Sequence, residues 1–260
     1  KYPKLKKTKA QRTKPEYYFT SKGFICHYII QKEKQIDSIT YLDSDLYFFS
    51  DPQSIFDELK DASVGITKHN FHWLSSHQQK YGKFNAGWIT FKTNPEGLKC
   101  LEEWMVDCSN WCFGYLDGQK YGDQKYLDSW KEKYKSVKII ETKGANLAPW
   151  NIKKYSIKTK GDKILIDEDI LIFYHFSKLY QVGQNQFKTN LNRVFVKTGG
   201  IIKEKIYLPY LNELIKHQSP FKKNISNSNK DKTFKTRLSY FERKIRDYFF
   251  EDIILSLIHI

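Results

Sequence analysis

Nowhere in the 260 residues do about 18 apolar side chains follow one another, which removes a transmembrane helix from consideration. No secretory leader is visible near Lys1. Cysteine is scarce. Cys26, Cys100, Cys108 and Cys112 include no C-x-x-C pair, which argues against a zinc knuckle. The last three fall four or eight residues apart on one helix face with Trp104 and Trp111, so they are expected as buried thiols in a reducing cytosol. Internal repeats are lacking too. Acidic side chains are outnumbered 29 to 44, but the surplus of +15 sits near the ends: residues 1–34 and 201–250 carry it, and the middle is neutral. A neutral middle speaks against a nucleic-acid footprint across the chain, and no nucleic-acid partner is expected.

Aromatics are plentiful: 18 Tyr, 18 Phe and 6 Trp. Ring faces stack on sugar C–H faces, so this composition suits a carbohydrate handler; it suits an aromatic core equally well. The basic ends point to an anionic partner, either a phosphorylated substrate or acidic lipid headgroups.

The pattern reads as strands alternating with helices. A helix is expected over 16–34, a strand over 38–42, and a helix begun by Asp51 as N-cap and Pro52 in its first turn. Strands are expected over 62–67, 84–92, 137–140, 164–166 and 171–174, with an Asn-Ala-Gly turn heading the second. Helices are expected over 95–113 and 123–134, and a loop over 144–151. This order predicts an α/β domain over 1–210. Residues 211–260 are expected as a basic helical region, with a linker at 219–233 and an apolar stripe from Phe234 to Ile253 that suits either packing or an acidic membrane surface. The last residues, 255–260, read as translated adapter sequence.

One segment stands out chemically. Asp43-Ser44-Asp45 closes the apolar strand Ile39-Thr-Tyr-Leu42. Two carboxylates two residues apart can meet one hard divalent cation, and α/β sheets bind ligands beyond the carboxyl ends of strands. A solvated turn would carry the same residues.

Residues 40–52 resemble the D-x-D segment of nucleotide-diphospho-sugar transferases of the GT-A fold, most of all the glycogenin-like retaining enzymes and their bacterial relatives. Phe84-Asn-Ala-Gly87 resembles that group's segment facing the donor sugar, Gly122-Asp-Gln124 the segment beside the anomeric carbon, and Tyr174-His-Phe176 the late histidine of the metal site. The resemblance implies a Rossmann-like mixed sheet flanked by helices, with the opening nucleotide-binding unit expected upstream of Lys1 and a helical C-terminal appendage. It implies Asp43, Asp45 and His175 as ligands of Mn²⁺ or Mg²⁺. It implies Arg12, Asp43, Ser44, Asp45, Asn85, Ala86 and Gly87 as donor-binding, and Asp123 and Gln124 as catalytic. Asn146 and Trp150 lie in Gly144–Asn151, which resembles a segment of uncharacterised bacterial members, and are expected to meet the acceptor.

The implied reaction moves a sugar from a nucleotide-diphospho-sugar, with a UDP-hexose as the leading candidate, to a glycan or lipid-linked acceptor. Retention is expected, with inversion through Asp123 as general base left open. A cytoplasmic protein is expected, with peripheral contact at the inner membrane face through the basic C-terminal region. Two other readings compete: a metal-dependent phosphodiesterase or nuclease using the same acids, and a non-catalytic module at a membrane surface.

Overall fold

The computed structural model describes residues 2–183, 185–217 and 253–255. The first helices are α1 (Pro3–Thr8) and α2 (Lys14–Lys32). Pro15 in the first turn and Glu16, whose Oε2 accepts from the Thr13 N–H at 2.8 Å, start α2 where the sequence pattern places it. Then come β1 (Ser38–Leu42), β2 (Leu46–Phe48), α3 (Gln53–Leu59), β3 (Val64–Lys68), β4 (Phe84–Lys92) and α4 (Pro95–Asn110). They are followed by α5 (Trp130–Lys133), β5 (Val137–Ile140), β6 (Ile157–Lys160), β7 (Lys163–Ile166), β8 (Asp169–Ile170), β9 (Phe173–His175), β10 (Tyr180–Gly183), β11 (Gln186–Lys188), α6 (Leu208–Lys216) and β12 (Ile253–Leu255).

The main sheet has the order β1-β4-β3-β5. β4 runs antiparallel to both neighbours, and β3 pairs with β5 in parallel, so the sheet is mixed, as expected. β1, β3 and β5 therefore point their carboxyl ends the same way, and the loops that follow them converge. Trp104 of α4 packs on Phe91 and Trp130, while Cys26, Cys100, Cys108 and Cys112 are buried, free thiols in the same core. Among the described residues, no helix is long and apolar enough to cross a membrane.

Several local expectations shift. Asn85-Ala-Gly87 is not a turn ahead of the strand; it lies within β4. The register with β3 jumps from Ile66↔Ile89 to Thr67↔Asn85, so Ala86–Trp88 bulge out of the ladder. Pro52 occupies the N-cap position of α3 rather than its first turn, and Asp51 reaches over it to accept from the Gln53 N–H at 2.8 Å. The helix expected over 123–134 is a 3₁₀ stretch, Lys125–Ser129, running into α5. The strand expected over 171–174 starts two residues later. The small strands β6, β10 and β11 and the 3₁₀ stretch Trp73–Tyr81 had no clear signal in the sequence. Of the 211–260 region, the linker 219–233 and the stripe from Phe234 lie outside the described residues, apart from the short strand β12.

Candidate metal and sugar-nucleotide site

Two strand pairings assemble the site. At the end of β1, the Asp43 N–H donates to the Gly87 carbonyl at 2.9 Å, which sets Asp43 beside the bulge of β4. The chain then turns through Ser44, with the Leu46 N–H donating to the Asp43 carbonyl at 3.3 Å. β2 leaves that turn and pairs antiparallel with β9, placing Leu46 opposite His175. The Phe176 N–H closes the pairing on the Asp45 carbonyl at 2.8 Å. A histidine 130 residues downstream is thereby delivered to the acidic turn: His175 Nε2 lies 3.1 Å from Asp45 Oδ1. One ligand atom each from Asp43, Asp45 and His175 falls within 4.8 Å of the others.

The three open into a cleft of about 560 Å³, whose walls also carry Lys22, His69, Phe71, Tyr81, Asn85, Tyr121, Asp123, Gln124, Trp150 and Lys178. Burial works against ionising Asp45, but the His175 hydrogen bond and charge outweigh it and hold the carboxyl below its usual range. Asp123 goes the other way: burial, and then the neighbouring Asp43, raise it against the pull of Lys22. Two carboxylates and an imidazole suit Mn²⁺ or Mg²⁺, with the nitrogen favouring manganese.

Lys22 was not legible as a site residue. It sits in α2, its side chain 5 % exposed, and its Nζ meets Asp43 Oδ1 at 2.8 Å, Asp123 Oδ2 at 2.9 Å and the Ala86 carbonyl at 3.1 Å. Burial would strip its proton, but Asp123 and then Asp43 raise it further than burial lowers it, so the ammonium is retained.

His69, also unread in the sequence, follows β3 and is buried. Its ring lies 4.7 Å from Phe71 in a stacked pair and 5.1 Å from Trp150 edge-on. Its Nε2 is 3.3 Å from Asn85 Nδ2, so Asn85 donates to a neutral imidazole, while Asn85 Oδ1 accepts from the Gly87 N–H at 3.0 Å. Burial, and then nearby His175, push His69 down to about 3. The unfolded chain binds this proton near 6.5 and the folded one does not. Folded stability from this residue is therefore complete above pH 6.5 and falls as pH drops toward 3. In urea melts, wild type should lose about 2–3 kcal/mol more than His69→Gln between about pH 7 and pH 4.5. Equal losses would contradict the burial argument.

Gly87 permits the arrangement. A Cβ there would lie 2.6 Å from Asn85 Oδ1 and 2.7 Å from His175 Cε1. Gly87→Ala is expected to cost about 1–3 kcal/mol in denaturant melts and to weaken Mn²⁺ binding by about 10–100-fold, by displacing a ligand.

Of the residues singled out in the sequence, Asp43, Asp45, Asn85, Ala86, Asp123, Gln124, Trp150 and His175 all line the cleft. Gln124 is tied by Nε2 to the Tyr81 carbonyl at 3.0 Å, and Trp150 stands edge-on to His175 at 5.1 Å. Asp123 is no helix cap: its carboxylate pairs with Lys22, and its carbonyl accepts from Trp104 Nε1 at 3.0 Å. Arg12, Ser44, Gly87 and Asn146 are not among the residues lining the cleft. Arg12 lies over the Phe113 ring at 3.8 Å and reaches the Ser109 carbonyl at 3.4 Å. Asn146 is buried and donates to the Lys68 carbonyl at 3.0 Å, stitching the 144–151 loop to β3. Ser44 is exposed at the tip of the acidic turn, outside the lining.

No family model matches the chain. The uncharacterised Bacillus subtilis protein YfnD is 35% identical over 212 residues, covering 80% of this chain and 68% of that protein. The uncharacterised YfnF of the same organism is 32% identical over 192 residues, covering 71% of this chain and 63% of YfnF. Among solved structures, a glycosyltransferase involved in the glycosylation of the major capsid of PBCV-1 aligns with a TM-score of 0.43 and 10% identity, over 64% of this chain and 73% of that one.

Proposed function

The chain belongs to the same family as Bacillus subtilis YfnD, and within it we propose a metal-dependent glycosyltransferase that takes a sugar from a nucleotide-diphospho-sugar. The observation that carries this reading is the meeting of Asp43 and Asp45 with His175, from 130 residues away, at the mouth of an aromatic-walled cleft.

Asp43, Asp45 and His175 would hold Mn²⁺ or Mg²⁺. Bound there, the cation supplies Lewis-acid stabilisation of the departing diphosphate. Lys22 fixes the Asp43 and Asp123 carboxylates in position through its two ion pairs. Asn85 has its amide orientation set by Gly87 and His69, and Asp123 and Gln124 line the same cleft as acceptors for sugar hydroxyls. Tyr81, Tyr121 and Trp150 offer ring faces to sugars and keep water from the reacting carbon. Retention is the stereochemistry proposed, with inversion through Asp123 as general base, held in place by the Lys22 ammonium, as the alternative. A UDP-hexose donor and a glycan or lipid-linked acceptor complete the proposal.

The test is thermal stabilisation of the chain by a panel of nucleoside diphosphates, with and without Mn²⁺. One base, acting only with metal, should stabilise by about 2.7 kcal/mol at 100 times its dissociation constant. Release of nucleoside diphosphate from the sugar nucleotide, rather than monophosphate, then separates glycosyl transfer from phosphodiester cleavage. Stabilisation by none of the panel, or by all without metal, counts against the proposal.

A further inference from the structure

Beside the cleft lies a second hollow of about 300 Å³ that shares Gln78, Tyr81, Trp150, Ser177 and Lys178 with it. Its charged walls are of one sign. Lys178 and Arg193 both line it, His77 stands beside them, and no Asp or Glu does. Neither Lys178 nor Arg193 has a carboxylate within ion-pair distance among the described residues. The two cations feel one another: burial, and then Arg193, lower Lys178.

The backbone segments that carry this pair are tied to one another. Lys178 and Asn190 are both left-handed, at φ 64° and 59°, and the Asn190 amide donates to the Lys178 carbonyl. Arg193 follows in the 3₁₀ turn Leu191–Val194 that Asn190 begins. Left-handed backbone at residues other than glycine costs on the order of 1 kcal/mol each. Two cations lining one hollow, with no carboxylate in ion-pair reach among the described residues, suit an oxyanion, which the guanidinium can grip with two parallel N–H groups.

We propose that this hollow is the acceptor arm of the site, and that the acceptor carries an anionic group, a phosphate or a carboxylate, seated between Lys178 and Arg193. The proposal rests on the glycosyltransferase reading for the word acceptor, and on the hollow alone for the anion. In the glycosyltransferase reading the donor diphosphate sits at the metal triad, and the hollow adjoins that cleft along Tyr81 and Trp150, whose rings would stack on the sugar between.

The experiment titrates the full chain with inorganic phosphate, and separately with glucuronate, in EDTA and without donor, so the metal triad plays no part. Saturable binding is expected, weakened about tenfold in Arg193→Gln and more in Arg193→Glu. Arg193 is exposed, so both variants should melt as wild type does; Lys178→Gln provides a second site for the same readout. Preference for phosphate or for glucuronate identifies the anion. Absent saturation, or equal binding in wild type and all three variants, overturns the inference while leaving the triad untouched. Displacement of bound phosphate by UDP plus Mn²⁺ would give the arm to the donor diphosphate and overturn it as well. Loss of metal-dependent donor binding with the anion site intact would instead remove only the glycosyltransferase reading.

Discussion

Asp45→Asn is expected to lower metal-dependent turnover of the donor by about a thousandfold, near 4 kcal/mol of transition-state stabilisation. The substitution preserves size and removes charge. It leaves the backbone in place, because the bond that closes β2 on β9 uses the Asp45 carbonyl, with the Phe176 N–H at 2.8 Å. Folding should therefore survive with little change. What disappears is a carboxylate that the His175 hydrogen bond keeps ionised despite burial. Without it a cation bound there would keep one acid and one imidazole, too few to hold Mn²⁺ against water. Turnover measured at saturating Mn²⁺ should fall for Asp43→Asn and Asp45→Asn alike. A loss smaller than roughly threefold in both would contradict the assignment.

Lys22→Met should have the largest effect on stability, about 3–5 kcal/mol by urea denaturation. The methionine fills similar space, yet Asp43 and Asp123 lose their shared ammonium, and Asp123 is almost wholly buried. An unpartnered buried carboxylate costs far more than the ion pair contributed, so the damage lies in what remains. The double variant Lys22→Met/Asp123→Asn should recover part of the loss, because an amide tolerates the site better than a stranded charge. The pH sign follows from the raised lysine. The stabilisation from Lys22 is complete below the ordinary value of 10.5 and is lost as pH rises above it. If Lys22→Met melts within about 1 kcal/mol of wild type, the triad of Lys22, Asp43 and Asp123 does not bear on the fold.

The acidic turn and its strand were legible because local chemistry advertises them. A β-branched and aromatic run that ends in two acids is unusual without a cation nearby. His175 was legible only through resemblance, since its place in the site depends on the β2–β9 pairing across 130 residues, and no local pattern encodes that register. Lys22 and His69 stayed hidden for a related reason. Lys22 is one of many lysines in a basic N-terminal stretch, and only the packing of α2 on the sheet singles it out. His69 sits in a stretch without periodicity, where a single imidazole has no signature of its own. The Asn85–Gly87 segment shows the converse: turn-forming residues within an apolar run signal a turn or a bulge equally, and the cross-strand register chose the bulge. Arg12 and Asn146 were singled out by the segments around them; their contacts, with Phe113 and with the Lys68 carbonyl, are made across long stretches of chain that no local pattern encodes.

Manganese electron paramagnetic resonance tests the central claim most directly. Free Mn²⁺ is followed as the chain is added, alone and with UDP. One ion per chain should leave the free signal, more tightly with UDP present, and both His175→Ala and Asp45→Asn should abolish that uptake. Uptake by those variants equal to that of wild type would contradict the account.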